Sequence, residues 1–194
     1  MNRLTHPSQH LLEFLKRQPE VQLQFSIYEY NPQSVFDKRH IIELPSSQLC
    51  FDWVTNTIAD LGPGEELAFH SKYKKGSRYF HVPMIDFNCP NYEFDYAYSS
   101  LEKTLSNDML SGLEFYDSGR SLHAYGRQAI DNSDWVKFMG RLLLANLPHK
   151  PTVVDTRWIG HRLLGGYASL RWSSNSSHYI KTPERRKRFS TQNV

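Results

Sequence analysis

Apolar and polar residues alternate along this chain with two periods, and the switches between them mark short strands and amphipathic helices. Val21, Leu23, Phe25 and Ile27 alternate with Gln22, Gln24, Ser26 and Tyr28, which predicts a strand from Val21 to Tyr30, broken by Asn31-Pro32. His40 to Leu44 is its expected partner. Ahead of them, Leu11, Leu12 and Leu15 give the apolar face of a short helix with Ser8 at its cap. Pro45-Ser46-Ser47 opens a helix expected to reach about Leu61, where Gly62-Pro63-Gly64 stops it. Leu67 to Tyr73 and Arg78 to Phe87 read as a hairpin joined through Lys74-Lys75-Gly76-Ser77. Phe94 to Leu105 reads as a helix, and Leu113 to Tyr116 pairs with Leu122 to Tyr125 around Asp117-Ser118-Gly119-Arg120. Ser133 or Asp134 caps the clearest helix, Trp135 to Leu147, which Pro148 ends. A strand at Thr152 to Val154, a helix from Asp155 or Thr156 to Leu164, and closing strands at Tyr167 to Trp172 and Tyr179 to Thr182 complete the chain. Hairpins interspersed with helices give an α+β fold, not a doubly wound parallel sheet.

Length and composition narrow the class. With 194 residues there is room for one domain with a real core. No apolar run is long enough to span a bilayer, and Met1 to Pro7 lacks the apolar stretch of a secretory signal, so no membrane role and a cytoplasmic location are expected. The net charge of +3 is mild. Much of the excess sits in Arg185-Arg186-Lys187-Arg188, so residues 183–194 read as a basic, flexible tail, either solvated or in contact with phosphates. The aromatic share of 13% supplies rings for base stacking or for the core. Cys50 and Cys89 have neither metal-ligand nor redox spacing, and Cys50 is expected in the core.

Candidate chemistry lies in three separated segments. Val82-Pro83-Met84-Ile85-Asp86-Phe87-Asn88 is an apolar strand ending on a carboxylate, and Asp86 and Asn88, one residue apart, share a face of a regular strand. Ser118-Gly119-Arg120-Ser121-Leu122-His123 is a tight turn running into a strand that presents Ser121 and His123 on one face. Thr152-Val153-Val154-Asp155 brings a second carboxylate, with Arg171 sixteen residues on. Each has an ordinary alternative: a strand-end acid, a hairpin with a half-buried histidine, and a helix N-cap. Phosphate loops of the GxxxxGK[ST] type, HExxH and paired zinc cysteines are absent. A Ser-His-Asp hydrolase assembled from Ser121, His123 and Asp155 lacks a nucleophile elbow.

Taken in order, carboxylate, Ser-x-His, carboxylate and downstream Arg, these segments resemble the archaeo-eukaryotic primase superfamily, the primase-polymerases, over roughly residues 65–182. The resemblance points to a divergent bacterial or mobile-element branch of the primase 1D-like type. It implies an RRM-like antiparallel or mixed sheet backed by helices, with a small N-terminal α/β unit at about residues 1–64 and the core at about 65–182, in a single domain of residues 1–182. It implies a nucleotidyltransferase on a single-stranded DNA or RNA template. Asp86 and Asp155 would be catalytic and, with Asn88, would hold Mg²⁺ or Mn²⁺. Arg120, Ser121, His123 and Arg171 would grip a nucleoside triphosphate. Lys72, Lys74, Lys75 and Arg78 around the hairpin tip are either a solvated turn or contacts to nucleic-acid phosphates. The family's first motif normally carries a second acid where this chain has Asn88. That departure supports the alternative of a catalytically impaired relative, a nucleotide or nucleic-acid binding module working with a helicase or other replication or defence components. A third reading is an unrelated α+β protein.

Overall fold

Alternating burial along the first long strand organises the molecule. The structure, a computed structural model, describes residues 1–18, 20–36 and 38–186. In chain order the elements are α1 (Pro7–Leu15), β1 (Val21–Glu29), β2 (His40–Pro45), α2 (Phe51–Ala59), β3 (Glu65–His70), β4 (Lys72–Lys75), β5 (Arg78–His81), β6 (Met84–Asp86), α3 (Phe94–Glu102), α4 (Asn107–Ser111), β7 (Leu113–Asp117), β8 (Leu122–Gly126), β9 (Ile130–Asp131), α5 (Asn132–Leu144), α6 (Thr156–Gly165), β10 (Ser169–Arg171) and β11 (Glu184–Arg185). β1 buries Val21, Leu23 and Phe25, and it pairs on one edge with β2 and on the other with β3 and β4. The first sheet runs β10-β3-β1-β4-β5-β9 with β2 attached to β1, and the second runs β11-β7-β8-β6. Every pairing between the named strands is antiparallel, so the fold is α+β.

A buried tryptophan joins the sheets. Trp172, just past β10, is fully buried against Phe25 and Phe69, and its indole N–H donates to the Tyr125 hydroxyl in β8 at 3.1 Å. The buried imidazole of His6 lies 2.8 Å from the Trp172 carbonyl oxygen. Gly126, at the end of β8, lies so close to Pro83 that an added Cβ would meet its ring at 2.7 Å. Only glycine lets β6 approach β8 there.

Several elements differ from the sequence expectation. The strand expected over Arg78 to Phe87 is two strands in different sheets: Pro83 has no N–H to give a ladder, and the chain crosses between sheets at Val82-Pro83. β3 and β4 are separated by a bulge, since Phe25 faces Phe69 but Gln22 faces Lys74, leaving two extra residues on the β3–β4 side. Ser71 sits in the bulge, its N–H donating to the Ala168 carbonyl at 2.7 Å and its carbonyl accepting from Val82 at 2.8 Å. The helix expected from Pro45 begins only at Phe51, with the Cys50 sulfur accepting the Trp53 N–H at 3.4 Å; Cys50 is exposed, not core. His6, not Ser8, caps α1, and Asp131, not Ser133 or Asp134, caps α5. The expected strand at Tyr179 to Thr182 is absent. The last strand is Glu184–Arg185, paired with β7, so the start of the expected tail is part of a sheet; residues 187–194 lie outside the described residues. Arg185 also binds the buried carboxylate of Glu114 at 2.7 Å. β1 and β2 share a sheet with β3 and β10, so the expected boundary near residue 64 falls between strands of one sheet.

α5 is amphipathic, burying Trp135, Phe138, Met139 and Leu142 at helical spacing. Beyond its end, Asn146 turns its side chain onto the next extended segment. Its Oδ1 accepts the N–H groups of Val153 at 2.8 Å and Val154 at 2.9 Å, and its Nδ2 donates to the Val154 carbonyl at 3.0 Å. One side chain therefore fixes the segment that leads into Asp155. Asn146→Ala strands two backbone donors, and we expect a loss of about 1–3 kcal/mol in urea unfolding. A loss below about 0.5 kcal/mol would mean that water replaces this clamp.

Candidate active site

Strand register puts three polar side chains in a row. Asp86 in β6 stands opposite His123 in β8. Past β6 the chain bridges to the segment that Asn146 holds, through Phe87 and Val154. The Asp155 N–H donates to the Asp86 carbonyl at 3.0 Å, and the Asn88 N–H donates to the Val153 carbonyl at 2.8 Å. Asp86 is thus flanked by His123 on one side and Asp155 on the other, and directly opposed residues of antiparallel neighbours project from the same face.

The electrostatics follow from that row. Burial, reinforced by Asp155, pushes the Asp86 carboxyl up to about 8, against the pull of Arg171 and Arg162. Burial, helped by the Arg171 charge, holds the His123 imidazole down at about 3, so it is neutral. Its Nε2 lies 3.6 Å from Asp86 Oδ1, beyond hydrogen-bond distance. Asp155 has the helix-capping role expected of it: its Oδ1 caps α6 by accepting the Trp158 N–H at 2.9 Å. Asn88 is exposed, and its Nδ2 donates to the Thr152 hydroxyl at 2.6 Å, which leaves its side-chain oxygen as the atom a cation would meet.

The row forms part of a cleft of about 410 Å³, within the range of small-ligand pockets. All of the expected metal and triphosphate residues border it: Asp86, Asn88, Asp155, Arg120, Ser121, His123 and Arg171. Two of them already have internal work. The Ser121 hydroxyl lies 2.5 Å from the Phe87 carbonyl oxygen and 2.8 Å from that of Cys89. Arg171 is buried, donates to the carbonyls of Ser118 at 3.0 Å and Lys181 at 3.1 Å and to that of Ser173, and lies 3.8 Å from the centre of the Tyr179 ring. Arg120 reaches the His178 carbonyl at 2.9 Å from the turn at Gly119, whose φ of +114° suits only glycine.

Other cleft residues stood outside the expected set of ligands. Arg162 is buried, with its Nη1 donating to the Ser169 hydroxyl at 2.6 Å. Arg157 donates to the Ser34 carbonyl at 2.6 Å, drawing the β1–β2 loop over the cleft. Arg39 in that loop lies 4.1 Å from the centre of the Tyr28 ring. Tyr30, half exposed, packs on His178 with ring centres 4.2 Å apart. Arg162 had a signal: it falls three residues after Ile159, on the buried stripe of α6, where a charged side chain is rare. Glu66 is buried outside the cleft lining and accepts from the backbone N–H groups of Asn175 at 2.9 Å and Ser176 at 2.8 Å.

The expected nucleic-acid contacts sit elsewhere. Lys72, Lys74, Lys75 and Arg78 do not border this cleft, because the Ser71 bulge leads β4 and β5 away from β3 and β10. Lys72 and Lys74 line a second cleft of about 890 Å³. Lys75 donates to Gln18 at 2.8 Å, and Arg78 pairs with Asp131 at 2.5 Å.

Among the described residues no cluster of three or more His, Cys, Asp and Glu side chains is closed up as a metal cage. The oxygen chemistry of the pair nonetheless fits a hard divalent cation: of two opposed carboxyl groups, one is held protonated by burial and its neighbour, and a cation would take the place of that proton. Among the described residues no helix is long and apolar enough to cross a membrane.

No curated protein and no solved structure gives a significant match to the chain. A family model does, the one described as archaeo-eukaryotic primase 1D-like, and it matches residues 45–184. That span takes in both carboxylates, Ser121, His123 and Arg171, and covers well over half of the chain. The chain therefore belongs to the archaeo-eukaryotic primase 1D-like family.

Proposed function

We propose that this primase-polymerase-like protein binds a nucleoside triphosphate together with Mg²⁺ or Mn²⁺ and acts as a nucleotidyltransferase on a single-stranded nucleic-acid template. The observation that carries this reading is the direct opposition of Asp86 and Asp155 beside a cleft with basic and aromatic walls. The two carboxylates would hold the cation, with the Asn88 side-chain oxygen as a neutral auxiliary ligand. Held by these residues, a cation would supply charge neutralisation on the phosphate oxygens. Arg120, Arg162 and Arg171 bring fixed positive charge to the phosphates. Ser121 supports the wall beneath them through the Phe87 and Cys89 carbonyls, and Tyr30 offers an exposed ring on which a nucleobase can stack. Lys72, Lys74, Lys75 and Arg78, on the hairpin outside the cleft, are suited to template phosphates without sequence preference.

Asn88 favours a second reading, in which the same cleft binds nucleotide without turnover. An amide in place of an acid removes one negative charge, and two carboxylates suffice for one cation more readily than for two.

Three experiments test these readings. In calorimetry with ATP, GTP and dNTPs plus Mg²⁺ or Mn²⁺, Asp86→Asn and Asp155→Asn should each weaken metal-dependent binding at least tenfold, about 1.4 kcal/mol. Asn keeps the capping oxygen at residue 155, so the helix survives; unchanged binding in both variants removes the mechanism. In chelator, the same Asp86→Asn should stabilise the protein. A folded-state value of about 8 against the ordinary carboxylate value means that the native state keeps a proton the unfolded chain has lost. Stability must then fall as pH rises from about 4 to 8. The variant should lack that fall and gain about 0.5–2 kcal/mol at pH 8.5, at roughly 2–4 °C in Tm per kcal/mol. Equal pH slopes for wild type and variant would show that Asp86 is not held protonated. Finally, Asn88→Asp should raise primer extension if the site has decayed; no gain alongside intact nucleotide binding supports the binding role.

A further inference from the structure

We propose that the second cleft is a site for single-stranded nucleic acid, with a base stacked on Tyr79, its edge over Gln22 and Gln24, and the flanking phosphates on Lys72 and Lys74. The inference rests on the preceding reading of the hairpin lysines as phosphate contacts. It adds to that reading a ring that holds the base and a floor that meets its edge.

The register of four strands builds the surface. Pro45 in β2 stands opposite Gln22 in β1, Gln22 opposite Lys74 in β4, and Lys74 opposite Tyr79 in β5. Directly opposed residues share a face, and neighbouring strands stand about 4.8 Å apart, so this row crosses the sheet for about 14 Å. Two residues along their strands, Glu43, Gln24 and Lys72 fall on the same face, and both sets line the cleft of about 890 Å³. Tyr73, between the two lysines, is buried on the other face, edge-on to Phe14 of α1. The second cleft shares no lining residue with the first, so its occupant needs neither the carboxylates nor a bound cation.

The groups on this face suit a base and its backbone together. Tyr79 is 44% exposed, and Lys72 Nζ lies 4.8 Å from the centre of its ring. A nucleobase offers an apolar face next to a charged phosphate, and an exposed ring beside ammonium groups answers both. The amides of Gln22 and Gln24 each carry a donor and an acceptor for a base edge. Positive charge gathers on the β4–β5 side. Lys75 Nζ donates to Gln18 Oε1 at 2.8 Å, which ties the hairpin to the chain leaving α1, where Lys16 and Arg17 are exposed. Glu43 sits on β2, two strands from Lys72 and Lys74, so phosphates are drawn toward β4 and β5 and away from β2.

The test is fluorescence anisotropy of labelled oligothymidylate and oligouridylate with the full chain in chelator, which silences any cation site. Tyr79→Ala should weaken whichever strand binds at least about fivefold, the lower end of what a stacked base contributes, and leave the salt dependence unchanged. Lys72→Gln with Lys74→Gln should flatten the slope of log affinity against log salt by about 1.4, roughly 0.7 for each lost phosphate contact. Irradiating the wild-type protein with an oligonucleotide carrying 5-iodouridine should place the adduct on Tyr79, located by mass spectrometry. A flattened slope in the lysine variant, with no adduct at Tyr79 and full affinity in Tyr79→Ala, overturns the base site while leaving the lysines as phosphate contacts. No binding of either oligonucleotide at low salt overturns both. The adduct is read on the wild-type protein, so it decides the point even if Tyr79→Ala does not fold.

Discussion

A short antiparallel bridge governs this site. Residues 86–88 and 153–155 are tied by two backbone hydrogen bonds, and all that is distinctive about the cleft depends on their holding. They set two acidic side chains side by side, which keeps a proton on Asp86, and they do so between segments far apart in sequence. Around the bridge, the surrounding structure acts as a brace: Asn146 holds one side from the end of α5, and β8 holds the other. The unfavourable pairing of Asp86 with Asp155 is thus sustained by hydrogen bonds that do not themselves touch a ligand.

Structural and functional demands fall on the same side chains. Arg171 satisfies carbonyls from the β7–β8 turn and from the segment after β10, and its charge is also felt at Asp86 and His123. Ser121 ties down the chain leaving β6. These residues shape the cleft through their own hydrogen bonds. Their replacement would therefore change the wall geometry, whereas Arg157, on the exposed side, donates to the Ser34 carbonyl of the β1–β2 loop.

Much of the site was legible in the sequence because it is built from strand periodicity. Asp86 and Asn88 fall on one face, Ser121 and His123 likewise, and all of them border one cleft with Asp155 and Arg171. The α+β class followed from hairpins interspersed with helices. What escaped was non-local. Pro83 was visible, but not that the strand around it divides between two sheets. Asn146 looks like a helix-end residue until its partners eight residues on are in view. The lysines of β4 read as neighbours of Asp86 along the chain, and a two-residue bulge carries them to another cleft. Cys50 has an apolar neighbourhood in sequence, yet it serves as an exposed cap because the helix starts late.

The Trp172 contact has a consequence for how genetic variation in this family would be read. Its indole joins the sheet that carries Arg171 to the sheet that carries Asp86 and His123, so the spacing across the cleft is set by a residue that faces neither solvent nor substrate. A screen for lost function would recover Trp172 together with whichever cleft residues the function uses. Ranked by phenotype alone, a residue of the interior would pass for one of the chemistry, and only a measurement of folded population would tell them apart.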